Sequence, residues 1–289
     1  MQRFDARVAL SATYELAEGP VWDPATQRLF WVDITQGQVH VGELVDDDIR
    51  LVRSHDVDAT VGAVAVASTG LLVAGHHDVL LLEPTGVTTV AALVPAGQRR
   101  RLNDGKCDPA GRFVVGSLSL GETGAESLYV VDPAGGATVL DDDLQLSNGL
   151  AWAPDGAVLY SVDTTPGIVY ARSYDVATGV CGERREAFRV PDGSPDGICV
   201  DTDGHLWVAV WGAGEVRRYT TDGRVLAIVT VAAPHTSCVT FAGPDLDRLV
   251  VTTAREELSA AALEANPESG SLFIADVEAR GLRTTVWPG

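Results

Sequence analysis

Internal repetition is what most limits how this chain can fold. Six segments align on a Gly that opens an apolar run: EGPVWDPATQRLFWVD from Glu18, VGAVAVASTGLLVAGH from Val61, NDGKCDPAGRFVVGS from Asn103, SNGLAWAPDGAVLYSVD from Ser147, PDGICVDTDGHLWVAV from Pro195 and SCVTFAGPDLDRLVVTT from Ser237. The residues before that Gly (before Val239 in the sixth segment) are numbers 18, 61, 104, 148, 196 and 238, spaced by 43, 43, 44, 48 and 42. Six units of about 45 residues is propeller spacing.

Each unit reads alike. A short apolar strand follows the Gly, and then a turn rich in Asp, Pro and Gly, such as DPATQ, DPAG, APDG or DTDG. A second strand comes next (RLFWVD, RFVVGS, HLWVAV), then a third (GQVHVGEL, SLYVVD, GEVRRYT). A more polar fourth segment suits an outer edge (IRLVRS, VTTVAAL, VLAIVT). The fold class is therefore all-β: a six-bladed β-propeller with four antiparallel strands per blade, one domain over residues 1–289. Closure removes exposed edges when the two chain ends share a blade, so ARVALSA (6–12) is expected to pair in the blade that ends near residue 285. The one helical pattern is short, REELSAAALEANP at 255–267.

Charge narrows the function classes. The formal net charge of −19 opposes nucleic acid and anionic membrane surfaces as partners. No apolar stretch approaches the roughly 20 residues of a membrane helix, and MQRFDARVAL lacks the pattern of a signal peptide, so a cytoplasmic location is expected. Cys107, Cys181, Cys199 and Cys238 form no C-x-x-C pair and read as reduced, structural thiols. The single Lys, Lys106, reads as compositional bias.

First strands line the channel of a propeller. The six residues before the Gly, Glu18, Val61, Asp104, Asn148, Asp196 and Cys238, therefore form a ring at one mouth. Gathered carboxylates repel each other and lose hydration unless a cation neutralises them. Carboxylates with an amide carbonyl are hard oxygen ligands, suited to Ca²⁺ first, with Mg²⁺, Mn²⁺, Zn²⁺ or Fe²⁺ as alternatives. Asp-Gly and Asn-Gly are also turn formers, and Asp-Gly recurs at Asp155, Asp192, Asp203 and Asp222, so spacing alone leaves both readings open.

The segments LAEGPVWDP, RLNDGKCDPAGRF, LSNGLAWAPDG, PDGICVD and TSCVTF resemble the senescence marker protein/regucalcin/gluconolactonase family, in blade order and over nearly the whole chain. The resemblance implies one divalent cation in the channel and hydrolysis of sugar lactones. Its metal ligands fall on Glu18, Asn148 and Asp196, with Asp196 also the expected general base. Its substrate-contacting residues fall on Arg101 and Asn103. An acidic residue after the GS strand is matched by Glu122, with Glu126 as the alternative. A cation would polarise the lactone carbonyl and lower the pKa of a water. Arg101 stays protonated and is a fork for hydroxyls.

The partner implied is a small sugar lactone, and the chain itself is expected as a monomer or weak homo-oligomer. Two rivals are a paraoxonase- or phosphotriesterase-like hydrolase on the same fold and a non-enzymatic calcium-binding propeller. His76 and His77 read as polar outer positions and His235 as a residue near the mouth. Trp22, Trp152, Trp207 and Trp211 read as blade packing. No G-x-S-x-G elbow and no G-x-G-x-x-G after a strand is present, which disfavours serine hydrolases and nicotinamide dehydrogenases.

Overall fold

The computed structural model describes residues 1–121 and 125–289. Each repeat folds into its own antiparallel sheet. Blade one runs Ala17–Asp23, Arg28–Asp33, Gln38–Val45 and Asp48–Asp56 from the centre outward, and blades two to five repeat that order. The innermost strands are Ala17–Asp23, Ala63–Val66, Arg100–Cys107, Ser147–Trp152, Ser194–Val200 and Thr236–Ala242. Each touches the next, and the sixth touches the first, so the circle is closed.

Closure uses the chain start as expected. Arg7–Leu10 is the outermost strand of blade six, antiparallel to Leu272–Asp276. Two features were not legible in the repeats. Gln2–Asp5 adds a fifth, parallel strand to blade five against Val225–Thr230. The last residues then cross the far end of the propeller: Gly281 N donates to Leu246 O at 2.8 Å, Thr284 Oγ1 to Trp22 O at 2.6 Å and Trp287 N to Val66 O at 2.8 Å. The indole of Trp287 is fully buried among apolar residues of blades two and three. The helix is shorter than its pattern, Ala260–Ala265, capped by Ser259. Arg255 and Glu256 donate their backbone N–H groups to Glu15 O instead of starting a turn.

Apolar clusters fill the wedges between blades. Trp207 of blade five meets Phe241 of blade six edge-to-face at 5.8 Å, beside the buried Trp22 of blade one. Much of the acidic excess is structural. Asp23, Asp108, Asp132 and Asp201 accept backbone N–H groups within their turns. Asp33 and Asp163 tie the start of an innermost strand to its own blade. All four cysteines are free thiols.

In five innermost strands the ladder register shifts at or beside the ring position, between Glu18 and Val21, Leu102 and Gly105, Ser147 and Leu150, Pro195 and Ile198, and Thr236 and Val239. A bulge of this kind leaves residues unpaired and re-aims their side chains. The Gly that follows has a second task, close approach. A Cβ on Gly149 would lie 2.4 Å from Asp196 O, and one on Gly197 2.1 Å from Cys238 Sγ. At these positions the Asx-Gly pair is a contact between neighbouring blades, and a turn only in its sequence appearance.

Candidate active site at the channel mouth

The bulges bring the expected residues to the start of the innermost strands, at one end of the channel. Glu18, Asn148, Asp196, Arg101, Asn103 and Asp104 are all at most 7% exposed. Asn103 Nδ2 donates to Ser147 O at 2.8 Å and to Asn148 Oδ1 at 3.3 Å. Arg101 Nη1 donates to Asn103 Oδ1 at 2.6 Å and to Leu102 O at 3.1 Å. Asn148 Nδ2 donates to Thr164 Oγ1, whose hydroxyl donates on to Pro195 O. This chain fixes the Asn148 amide with its carbonyl oxygen free of any backbone donor.

The carboxylates are poorly served. Glu18 Oε2 and Asp104 Oδ1 each accept the next Gly N–H, at 2.6 and 2.7 Å, and the buried Cys238 thiol is the one further donor to Glu18 among the described residues. Asp196 Oδ1 is buried and has no hydrogen-bond partner. Burial and then Asp104 push Glu18 up to about 8. Burial, Glu18 and Asp104 drive Asp196 well above the ordinary carboxylate range. Burial also raises Asp104, against the pull of Lys106. Arg101 is lowered to about 10 by burial, although Glu256, Glu18 and Asp196 oppose that. Three buried carboxyls with mutual repulsion, one orphaned oxygen and an adjacent amide carbonyl fit a hard divalent cation held by Glu18, Asn148 and Asp196.

Several residues stand elsewhere than expected. Glu122 lies outside the described residues. Glu126 is fully buried inside blade three, where it accepts from Ser117 Oγ at 2.8 Å and from Ser119 Oγ and lies 3.6 Å from Arg100 Nε. His76 is on the mouth rim and not an outer edge, because its carbonyl accepts the Leu102 N–H at 2.9 Å. His235 stacks on Trp211 at 4.1 Å, and Trp211 is half-buried while Trp22, Trp152 and Trp207 pack inside the blades.

Lys106, read as compositional, reaches into the channel and donates to Ile198 O at 3.0 Å. Its place in the alignment, two residues after the ring position and so on the same strand face, carried that signal.

Two other features compete for attention. Asp201, Asp203 and His205 cluster closely enough to suggest a metal. Asp201 Oδ2 already accepts from Trp207 Nε1 and Arg218 Nε, Asp201 Oδ1 from two backbone N–H groups, and Asp203 pairs with Arg218 at 2.9 Å. An arginine neutralises that trio in place of a cation. A cavity of about 400 Å³ opens at the opposite end of the channel, lined by Cys107, Trp152, Phe241 and Thr284 among others, and none of the ring carboxyls lines it.

The chain is 32% identical to a regucalcin of Xenopus laevis, over the full length of both. It is 30% identical to a putative sugar lactone lactonase of Bacillus subtilis, over 99% of each chain. A crystal structure of the calcium-binding protein regucalcin from Agrobacterium tumefaciens superposes with a TM-score of 0.93 at 32% identity, covering 100% of this chain and 99% of that one. The SMP-30/Gluconolactonase/LRE-like region matches residues 16–255, which include every ring residue, and the chain belongs to that family.

Proposed function

We propose that this protein is a divalent-cation-dependent lactonase that opens sugar lactones to aldonic acids, with Glu18, Asn148 and Asp196 as cation ligands. The observation that carries the reading is the buried, unpartnered Asp196 Oδ1, with Glu18 as its foremost charged neighbour, on the strand next to the one that carries the Asn148 amide. Lactonase names among the relatives support the reaction class: a pentonolactonase of Haloferax volcanii is 32% identical over 92% of both chains. When bound, the cation supplies charge stabilisation for the carbonyl oxygen as the ester is attacked.

The chain's own groups do the rest. The free N–H groups of Arg101 bind the hydroxyls of the sugar ring, and Asn103, whose Nδ2 is committed to Ser147 O and Asn148 Oδ1, accepts a hydroxyl on its Oδ1 and holds Arg101 in place. Burial of the ring residues excludes bulk water. The Asp196 carboxylate takes a proton from the attacking water as the new C–O bond forms at the carbonyl carbon. As the ring C–O bond breaks, the leaving oxygen takes that proton back, and the product carboxylic acid then ionises to solvent.

The test is acid release from D-glucono- and D-xylono-lactone, with and without a chelator. Chelator-sensitive hydrolysis restored by Ca²⁺, Zn²⁺, Mn²⁺ or Mg²⁺ is expected. Cation binding without turnover of either lactone would sink the enzymatic reading and leave a calcium-binding propeller.

A further inference from the structure

The loop that follows blade six brings an unspent carboxylate to the mouth. Ala254 bridges to Leu16, and the N–H groups of Arg255 and Glu256 both donate to Glu15 O at 2.9 Å. From the other side, His235 Nδ1 donates to Glu256 O at 3.0 Å while its ring stacks on Trp211. Glu15 and His235 stand three residues before ring positions 18 and 238, as Arg101 stands three before 104. Glu256 is therefore clamped at the level of Arg101.

Its half-buried side chain makes no hydrogen bond or salt bridge among the described residues. Arg101 uses only Nη1 on protein acceptors, so its other N–H groups stay open. The two face one another in charge: Glu256 is the foremost carboxylate favouring ionised Arg101, and Arg101 is the main influence opposing the rise of Glu256 on burial. Asp58, held by His76 N at 2.8 Å, adds a further negative charge to the same rim.

Resting on the lactonase reading, we propose that Glu256 is a specificity-determining residue of the mouth: its charge offsets that of Arg101, which favours neutral, hydroxyl-bearing lactones and repels anionic ones, including the aldonate that hydrolysis produces. The reaction turns a neutral reactant into a carboxylate. A fixed negative charge at the exit is indifferent to the first and unfavourable to the second, so it filters substrates and speeds product release together.

Glu256→Gln keeps the shape and removes the charge. With saturating cation, the kcat/KM ratio for 6-phospho-D-gluconolactone over D-gluconolactone is expected to rise about three- to tenfold, and the inhibition constant of D-gluconate to fall by a similar factor. The neutral lactone should lose about twofold through KM. Both shifts should shrink between about 20 mM and about 500 mM salt. Glu256→Asp should restore the parent ratio, and Asp222→Asn, an exposed charge in a remote turn, should leave it unmoved.

An unchanged ratio and unchanged gluconate inhibition in Glu256→Gln would overturn the proposal, as would an equal shift in Asp222→Asn. If the parent chain hydrolyses no neutral lactone, the lactonase reading fails separately. Gluconate binding by calorimetry then still tests the rim, tighter binding to Glu256→Gln upholding the charge effect and equal binding overturning it.

Discussion

Asp196 and Asp201 stand five residues apart, at opposite ends of the innermost strand of blade five, and both are buried. Asp201 has everything a buried carboxylate needs: an arginine, an indole N–H and two backbone N–H groups. Asp196 has an oxygen with no partner and two carboxyls as electrostatic neighbours. The same residue type in the same repeat is thus structural at one end of the strand and unfinished at the other. A buried charge left unpaired costs several kcal/mol, so the unfinished end is where a ligand is required.

Substitution separates the two ends most sharply. Asp196→Ala is expected to lower lactone turnover by about a thousandfold or more, through loss of a ligand and the base. It should leave the cation-free fold as stable as the parent or more so, because a repelled charge is gone. Asp201→Ala should do the reverse. It leaves the buried Arg218 with only the exposed Asp203 as a partner and strands the Trp207 indole N–H, and should cost about 3 kcal/mol of stability, with activity per folded molecule retained. Denaturant midpoints and turnover on the same preparations decide it. Full activity in Asp196→Ala would break the contrast.

Cation removal is the next largest effect. At a free cation concentration of about 100 times its dissociation constant, binding should add about 2.7 kcal/mol to unfolding, and Asp196→Ala should lose most of that increment while an Asp203→Asn variant keeps it. A cation increment lost in Asp203→Asn and kept in Asp196→Ala would move the metal to the other end of the strand.

How far this contrast was legible depends on periodicity. Glu18, Asn148 and Asp196 could be found because they occupy one position of a repeat, and strands in a propeller bring equal positions together. The bulges could not be read, since unpaired residues in a strand look like paired ones. Lys106 was misread because its type suggested bias although its position pointed inward. Glu256 sits on a connection outside the aligned units, placed by hydrogen bonds to Glu15 that leave no sequence pattern. The same holds for the terminal segment, whose Trp287 is buried two blades from where its chain leaves blade six.

The glycines sharpen the comparison at a smaller scale. Gly197→Ala puts a methyl group against the Cys238 side chain and backbone, and should cost about 1–3 kcal/mol with a fall in activity, because the ring residue beside it must move. Gly204 at the Asp201 end has φ +82, and a Cβ there would meet only Pro154, at an ordinary 3.8 Å, so Ala should cost about 1 kcal/mol in backbone strain and leave activity alone. Equal activity losses in both variants would mean that the mouth geometry tolerates no distinction between the two ends.

The smallest effect asks whether an orphaned buried atom is enough to mark a site. His40 in blade one also has one, Nε2, while its Nδ1 meets the exposed Ser54 hydroxyl at 2.8 Å and its ring stacks on Trp31. Burial lowers its pKa from 6.5 to about 4, against the pull of Asp33 and Asp56. A base with a depressed folded-state pKa binds fewer protons folded than unfolded, so its stability contribution is complete above pH 6.5 and is lost as pH falls towards 4. The ring is buried, and the loss is about 2 kcal/mol at pH 5. His40→Phe should remove this acid-side loss, leave Ser54 to water and change neither turnover nor the cation increment, as read from denaturant midpoints at pH 5 and 7. A lost cation increment in His40→Phe would mean that an orphaned atom marks a ligand site without converging charge, and Asp196 would then owe nothing special to its neighbours Glu18 and Asp104.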